Sequence, residues 1–295
     1  MLIKEMLNKL VNKENLTFEE AKIIMREIMT GQCTDAQIGA FLMALRIKKE
    51  TIQEITGFVE VMREVSCKIS CKEKNIVDTC GTGGDAKYTF NISTISAFVA
   101  AGAGVIIAKH GNRSVSSKCG SADILKELGI NIEISPEKAE KYLKKVGICF
   151  LFAPIFHPAM KYAIGPRKEL GIRTVFNILG PLTNPANSNC QVLGVYSSEL
   201  TEIIASVLLN LGSKHVLVVY GMDGLDEFTT TTKTKVTELK NNEITTYYLE
   251  PEDFHLKKAI LEDLQVISIK ENKEIFLDIL SGKEQGPKRD IVLFN

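Results

Sequence analysis

Over residues 1–70, apolar positions recur three or four residues apart: Phe18, Ala21, Ile24, Met25 and Ile28 in one run, Ile38, Phe41, Leu42 and Leu45 in the next. That period places the apolar side chains on one face of a helix. Thr17 with Glu20, Thr34 with Gln37 and Thr51 with Glu54 each fit a capping box, in which hydroxyl and carboxylate or amide satisfy orphan N–H groups. Gly31 is placed to end the earlier of these helices. With the charged, amphipathic start MLIKEMLNKLVNKEN, the pattern predicts a small unit of four helices. This unit has no glycine-rich loop and no cluster of catalytic residue types, so it reads as scaffold and interface.

Beyond residue 70 the rhythm changes. Short apolar runs, NIVDTC (75–80), GVIIAKHG (104–111), ICFLFA (148–153), CQVLGVYS (190–197) and HVLVVYG (215–221), alternate with helical patterns. The helices are expected at Ile92–Ala103, at SADILKELG, after the N-cap Ser135 with Pro136 at the first helical position and Gly147 closing it, and at Glu199–Leu211. Apolar strands alternating with helices imply a mostly parallel sheet covered on both faces. TKVTELKNNEITTYYL breaks the alternation and reads as a β-hairpin turning at Asn241-Asn242. Residues 154–187 fit neither pattern and hold five of the eight prolines. They read as an excursion out of the sheet that makes a hinge and a cleft. The expected fold class is therefore α/β, with a small all-helical domain (1–70, joined by the excursion at 154–187) and a larger α/β domain (71–153 and 188–295). Ligands of such sheets lie beyond the carboxyl ends of the strands.

Composition narrows the function. The chain has 295 residues, 36 basic against 36 acidic, with a pI near 6.9, which argues against a broad nucleic-acid-binding surface. No apolar run reaches the roughly 20 residues of a membrane helix, and residues 95–108 are interrupted by Gly102 and Gly104. The N-terminus lacks a signal-peptide core, and seven cysteines without CxxC spacing, Cys67 and Cys71 among them, read as free thiols. A cytoplasmic protein is expected.

Two glycine-rich stretches each follow a strand. CGTGGDAKYTFNIST, Cys80–Thr94, sets a bare backbone ahead of a helix start. Glycines permit close approach of a large anion, and a helix N-terminus offers free N–H groups and a positive dipole end. An ordinary strand-to-helix turn would look the same, and three spaced glycines alone are a weak signal. Asn91, Ser93 and Thr94 can cap the helix, or hold phosphate oxygens or a phosphate-bound metal. KHGNRSVSSKCGSAD (109–123) supplies Lys109 as a point charge and a backbone nest between Gly111 and Ser117. Two such loops after strands of one sheet outweigh the reading of a plain surface loop. His110 is open to two readings, an acid–base group or a structural ring beside a glycine turn. In GMDGLDE, Asp226 and Glu227 are either solvated loop carboxylates or, facing the phosphate loops, hard ligands for Mg²⁺. Neighbours on an extended chain point apart, so both reach one site only if Gly221 and Gly224 turn the loop.

Taken in order, GTGGD, NIST, KHGNRSVSSKCGSADILKELG, HPAMKYA, GPRKELGIRTVFNILGPLTNPA and GMDGLDE resemble the motif series of the anthranilate phosphoribosyltransferase family over nearly the whole chain. KHGNR and FNILGPLTNP are far more specific than the glycine loop. The resemblance implies a nucleoside-phosphorylase-like fold and transfer of the phosphoribosyl group of phosphoribosyl pyrophosphate (PRPP) to the amine of anthranilate. The products would be N-(5-phosphoribosyl)anthranilate and pyrophosphate, in tryptophan biosynthesis. It further implies Mg²⁺, two ions per active site, and a homodimer formed through the helical domain. Carried over by position, Gly81, Gly84, Asp85, Thr89, Asn91, Ile92, Ser93 and Thr94 would line the PRPP site. Lys109, His110, Gly111, Asn112, Arg113, Ser114, Val115, Ser116, Ser117 and Ser121 would complete it. Gly81, Asn112 and Arg167 match the anthranilate contacts, and Ser93, Asp226 and Glu227 the metal ligands. Family members usually run a few tens of residues past RDIVLFN, with no catalytic group expected there.

The implied chemistry suits these residues. Displacing pyrophosphate from C1 of ribose passes through a cation-like sugar, so leaving-group charge must be stabilised and the acceptor held close. The aniline amine of anthranilate is largely unprotonated at neutral pH, so no general acid or base is assigned. Arg167 can take the acceptor carboxylate in a bidentate grip. Two alternatives are a pyrimidine nucleoside phosphorylase-like enzyme, disfavoured by KHGNR and the proline-rich excursion, and a non-catalytic nucleic-acid-binding relative, disfavoured by neutral pI and the Asp226-Glu227 pair.

Overall fold

The computed structural model describes residues 2–71, 73, 75–113 and 119–295. Four helices open the chain: α1 (Ile3–Val11), α2 (Phe18–Met29), α3 (Asp35–Lys48) and α4 (Ile52–Glu64). All three capping boxes form, each hydroxyl accepting from the N–H three residues on. The third is extended by tertiary contacts. Glu54, fully buried, accepts from the N–H groups of Leu16 (2.9 Å) and Thr51 (2.7 Å) and from Lys48 Nζ (2.9 Å). A buried carboxylate is tolerated because its oxygens are so fully partnered.

The alternating part runs β1 (Val77–Gly81), α5 (Ile92–Gly102), β2 (Ile107–Gly111), α6 (Ser121–Glu127), α7 (Pro136–Val146) and β3 (Ile148–Phe152). Three helices then leave the sheet, α8 (Ala153–Phe156), α9 (Lys161–Leu170) and α10 (Val175–Leu182). The chain returns through β4 (Cys190–Gly194), α11 (Leu200–Asn210), β5 (His215–Gly221), β6 (Thr234–Lys240) and β7 (Glu243–Leu249), and closes with α12 (Leu261–Leu264), α13 (Ile269–Leu280) and α14 (Pro287–Phe294). Ser135 caps α7 with Pro136 behind it, and Gly147 ends it in the left-handed region. Asn241 and Asn242 both take positive φ, 54° and 63°, as a tight two-residue hairpin turn requires.

The sheet has seven strands in the order β3-β2-β1-β4-β5-β6-β7. The first five run parallel and the hairpin adds two antiparallel strands. The chain winds outward from β1 to β3, then restarts at β4 on the other side of β1. A crevice opens where the winding direction reverses, at the carboxyl ends of β1 and β4, here Gly81 opposite Gly194. Helix α9 lies against α2 and α3, and the Tyr162 ring fills the space where a side chain on Gly31 would lie. Arg63 Nε on α4 donates to the Leu182 carbonyl (2.9 Å). One continuous apolar core therefore runs from the four-helix bundle through α10 to β4, β5 and α11. A second core covers the sheet's other face beneath α5, α6, α13 and α14.

Candidate active site

The glycine loop leaves β1 at the crevice and is fixed from three sides. Thr82 N–H donates to the Gly194 carbonyl (2.9 Å), Thr82 Oγ1 accepts from Tyr196 N–H (3.0 Å), and Gly83 N–H donates to Asp226 Oδ2 (2.7 Å). Gly81 and Gly194 are needed for close approach. A Cβ on Gly194 would lie 1.5 Å from the Asp226 carbonyl oxygen, and one on Gly81 would lie 2.7 Å from Asp226 Oδ2. Beyond the glycines, Ala86 and Tyr88 hold positive φ, 58° and 59°, an unfavourable backbone for residues with a side chain. The exit is clamped by the C-terminal region: Val266 N–H donates to the Tyr88 carbonyl (2.9 Å), and Thr89 pairs with Gln265 in an isolated bridge.

The acidic pair arrives on the turn after β5. Gly224, at φ 95°, closes that turn with its N–H on the Gly221 carbonyl (2.8 Å), so Asp226 and Glu227 both face inward, as expected. Glu227 Oε1 accepts from Ser93 N–H (3.3 Å) at the first turn of α5, while Asp226 meets the glycine loop. Asp85 stands close enough to interact with both. Burial, together with Asp85 and Glu227, pushes the Asp226 carboxyl well up. Burial, with Asp85 adding and Lys109 opposing, pushes Glu227 to about 7. Among the described residues no three acidic, His or Cys side chains form a complete metal cage. The donors nevertheless suit a hard cation such as Mg²⁺, which takes one or two carboxylates and fills its remaining positions with water and phosphate oxygens.

Lys109, expected as a point charge, is only 4 % exposed. Its ammonium lies at the floor of the crevice, donating to the Thr79 carbonyl and within 3.3 Å of both Thr79 Oγ1 and Ser93 Oγ. Burial lowers its pKa while Asp78 opposes the shift. Asp78 is wholly buried on β1, accepting from His110 N–H (3.1 Å) and Asn184 Nδ2 (2.8 Å), and burial raises its pKa to about 6.

Of the two readings of His110, the contacts favour the structural ring. Its Nδ1 donates to the Gly180 carbonyl (3.2 Å), its buried Nε2 has no partner among the described residues, and its ring lies 5.0 Å from that of His157. Burial, with His157 adding, depresses its pKa to about 3, so the ring is neutral and structural. Of the roles open to Asn91, capping α5 is not the one it takes, for its side chain makes no cap hydrogen bond. It donates instead to the Cys119 carbonyl (3.2 Å) and accepts from Asn272 Nδ2 (2.8 Å), tying the first loop to the end of the second and to α13. The buried hydroxyl of Thr94 has no partner among the described residues.

On the second loop, a Cβ at Gly111 would meet Ser121 Oγ at 2.5 Å and the Phe150 ring at 2.6 Å. The Asn112 carbonyl accepts from Ser121 Oγ (3.3 Å), and Arg113 lies 3.6 Å from Asp123. Ser114, Val115, Ser116 and Ser117 lie outside the described residues. Arg167 stands on α9 with its guanidinium 5.1 Å from the Phe176 ring centre, half-buried, and no acidic group of the described residues pairs with it. Among the described residues no hydrogen bond joins it to Gly81 or Asn112. The contacts thus bring Gly81, Asp85, Ser93, Lys109, Asp226 and Glu227 together, and set Arg167 apart on the helical side. Sequence reasoning passed over Asp78, Asn184, Gln265 and Asn272. Only Asp78 carried a signal, a charge inside an otherwise apolar strand.

Comparison with known proteins places the chain in a family. Residues 4–66 match the model described as glycosyl transferase family, helical bundle domain, and residues 73–295 the one described as glycosyl transferase family, a/b domain. Anthranilate phosphoribosyltransferase of Acetivibrio thermocellus is 56% identical over 294 residues, covering 100% of this chain and 85% of its own. The enzyme of the same name from Desulfosudis oleivorans is 53% identical, with 100% and 87% covered. The crystal structure of the Thermus thermophilus enzyme superposes with a TM-score of 0.92 at 41% identity, over 97% of this chain and 85% of that one. The Saccharomyces cerevisiae enzyme, solved in complex with PRPP and Mg, gives a TM-score of 0.90 at 32% identity, over 99% and 86%. The chain belongs to the glycosyl transferase family and, within it, to the anthranilate phosphoribosyltransferases of tryptophan biosynthesis.

Proposed function

We propose that the two glycine-rich loops and the acidic turn divide the work of phosphoribosyl transfer in a specific way. PRPP lies along Gly81–Thr94 and Lys109–Ser121, with its pyrophosphate against the first turn of α5. Asp226 and Glu227 would hold Mg²⁺ largely through water, and Ser93 would serve a second ion carried by the pyrophosphate. Bound there, the ions would neutralise charge on the departing pyrophosphate. Lys109 adds a fixed positive charge beneath Ser93, already paid for in desolvation and so not reorganised during reaction. Arg167 and Asn112, with the Gly81 backbone, take anthranilate. The half-buried guanidinium of Arg167 has no acidic partner among the described residues, as suits a seat for a carboxylate. His110, neutral and committed to Gly180, moves no proton, and the unprotonated aniline needs none removed before attack.

The observation that carries this reading is the meeting of Asp226, Glu227, Ser93 and Lys109 at one crevice, from the turn after β5, the start of α5 and strand β2. The test is a Mg²⁺ titration of the rate for Asp226→Asn with Glu227→Gln at saturating substrates, followed by loss of anthranilate fluorescence. The half-maximal Mg²⁺ concentration is expected to rise at least tenfold, about 1.4 kcal/mol. A curve overlying the wild type would return the pair to a structural role.

Residues 1–70 with 154–187 form the helical domain, and 71–153 with 188–295 the α/β domain. Exposed apolar side chains on the helical side, Val11, Ile47 and Ile164 among them, support a homodimer through that domain. Light scattering that shows a monomer would overturn it. No helix of the described residues is long and apolar enough to cross a membrane, and we place the enzyme in the cytoplasm with small-molecule partners only.

A further inference from the structure

The loop between α9 and α10 reaches across the crevice. From it Arg173 Nη2 donates to the Gly84 carbonyl, and its guanidinium lies 4.5 Å from the centre of the Tyr196 ring. The guanidinium also covers the open face of Gly84, where a Cβ would meet Arg173 Nε at 3.5 Å. Arg46 on α3 also stands close enough to Tyr196, just beyond β4, for its charge to act on the phenol. Tyr196 N–H donates to Thr82 of the glycine loop (3.0 Å). One arginine from the loop between α9 and α10 therefore grips a ring and a loop on the sheet side at once. A planar guanidinium can stack and donate in the same pose, which a lysine ammonium cannot.

We propose that Arg173 is a positioning residue whose contacts with Gly84 and Tyr196 tie the helical side to the glycine loop and so set the seats of both substrates together. The inference rests on the reading above, in which PRPP lies on the glycine loop and anthranilate on Arg167. Arg167 and Arg173 stand six residues apart in one segment, so a loop that shifts away from Arg173 also shifts relative to Arg167. Neither contact touches the reacting atoms. The expected signature is a joint weakening of both substrates with turnover preserved once both are saturating.

Arg173→Met keeps the stem and removes charge and donors. Its KM for PRPP and its KM for anthranilate are expected to rise together, each by roughly five- to tenfold, the scale of one charge-assisted hydrogen bond discounted for exposure. The kcat is expected to stay within about twofold and the melting temperature within about 2 °C, since an exposed contact adds little to stability. Arg173→Lys, which can still donate but cannot stack flat, should fall between, and Tyr196→Leu should reproduce the Met variant from the other partner. A rise confined to PRPP or to anthranilate would make Arg173 a direct ligand and overturn the proposal. So would no rise at all, or a fall in kcat and melting temperature with both KM values kept. Arg167→Ala, run beside them, separates the two readings. If it leaves the anthranilate KM unchanged, the placement of the acceptor fails, whatever Arg173 does.

Discussion

Lowering the pH from 7 to 5 should cost this protein stability through two buried rings, and the size of the loss follows from their surroundings. His110 and His157 are 7 % and 5 % exposed, their rings 5.0 Å apart, and each has a buried Nε2 with no partner among the described residues. Burial depresses His110 to about 3 and His157 to about 4, against 6.5 for an ordinary ring. A depressed pKa means that the unfolded chain binds the proton more readily. Stability is therefore fully present above pH 6.5 and falls as the pH drops below it, until the folded values are reached. At pH 5 each ring contributes a loss of about 2 kcal/mol, or about 4 kcal/mol for both. At about 2.1 cal/mol/K per residue, 295 residues unfold with about 0.6 kcal/mol/K, so the pair accounts for about 6 °C of melting temperature. Asp78, raised to about 6, and Glu227, raised to about 7, act in the opposite direction, because protonation relieves their burial. The wild-type curve therefore mixes both effects. The clean measurement is the difference between wild type and His110→Asn with His157→Asn, whose amides keep a donor where Nδ1 stood and cannot take up a proton. Any packing loss from the smaller side chains is the same at both pH values. The gap in melting temperature between the two proteins should shift by about 6 °C in favour of the variant from pH 7 to pH 5. A shift below about 1 °C would mean that the rings are charged as readily in the folded chain as in the unfolded one.

Much of the fold was legible because its signals are local. A hydroxyl three residues before Glu or Gln specifies a helix start without reference to the rest of the chain, and Thr17, Thr34 and Thr51 all form the predicted boxes. Asn241-Asn242 declares its turn in the same way, by tolerating positive φ. The inward turn of Asp226 and Glu227 was readable from Gly221 and Gly224. What stayed hidden depends on partners far along the chain. Asn91 sits at a helix start with the right chemistry for a cap, yet it is taken by Asn272, 181 residues away. Capping is worth about 1 kcal/mol, and the part-buried hydrogen bonds to Cys119 and Asn272 compete successfully for the same side chain. Lys109 was legible as a charge at a strand end but not as a buried one, since its burial needs Asp78, Thr79 and Ser93 to converge. The alternating side chains of a strand gave one clue: Asp78 and Lys109 occupy positions whose apolar neighbours face the core.

Two further outcomes test how the crevice is built. Gly194→Ala would drive a Cβ to 1.5 Å from the Asp226 carbonyl oxygen, so the acidic turn must move. Soluble protein is expected with at least a tenfold loss in kcat/KM for PRPP, and activity within twofold of wild type would show that the turn's close seat on β4 is dispensable. Lys109→Met exchanges a buried cation for an apolar chain of similar length. Pyrophosphate and PRPP affinity by calorimetry should fall by about 1.5–3 kcal/mol, the scale of a hydrogen bond to a charged group. The same change removes the charge that opposes the rise of the Asp78 pKa, so Asp78 should take up its proton at a pH above its present value of about 6. Carboxyl-region NMR of labelled Asp78 distinguishes the two effects. Weakened binding with an unmoved Asp78 titration would mean that Lys109 acts on the ligand alone, and an upward Asp78 shift with unchanged affinity would make it purely a counter-charge inside the sheet. Both changes together are expected, because one ammonium lies 3.3 Å from the Ser93 hydroxyl and also acts on the buried Asp78 carboxylate, so neither side can lose it without the other responding.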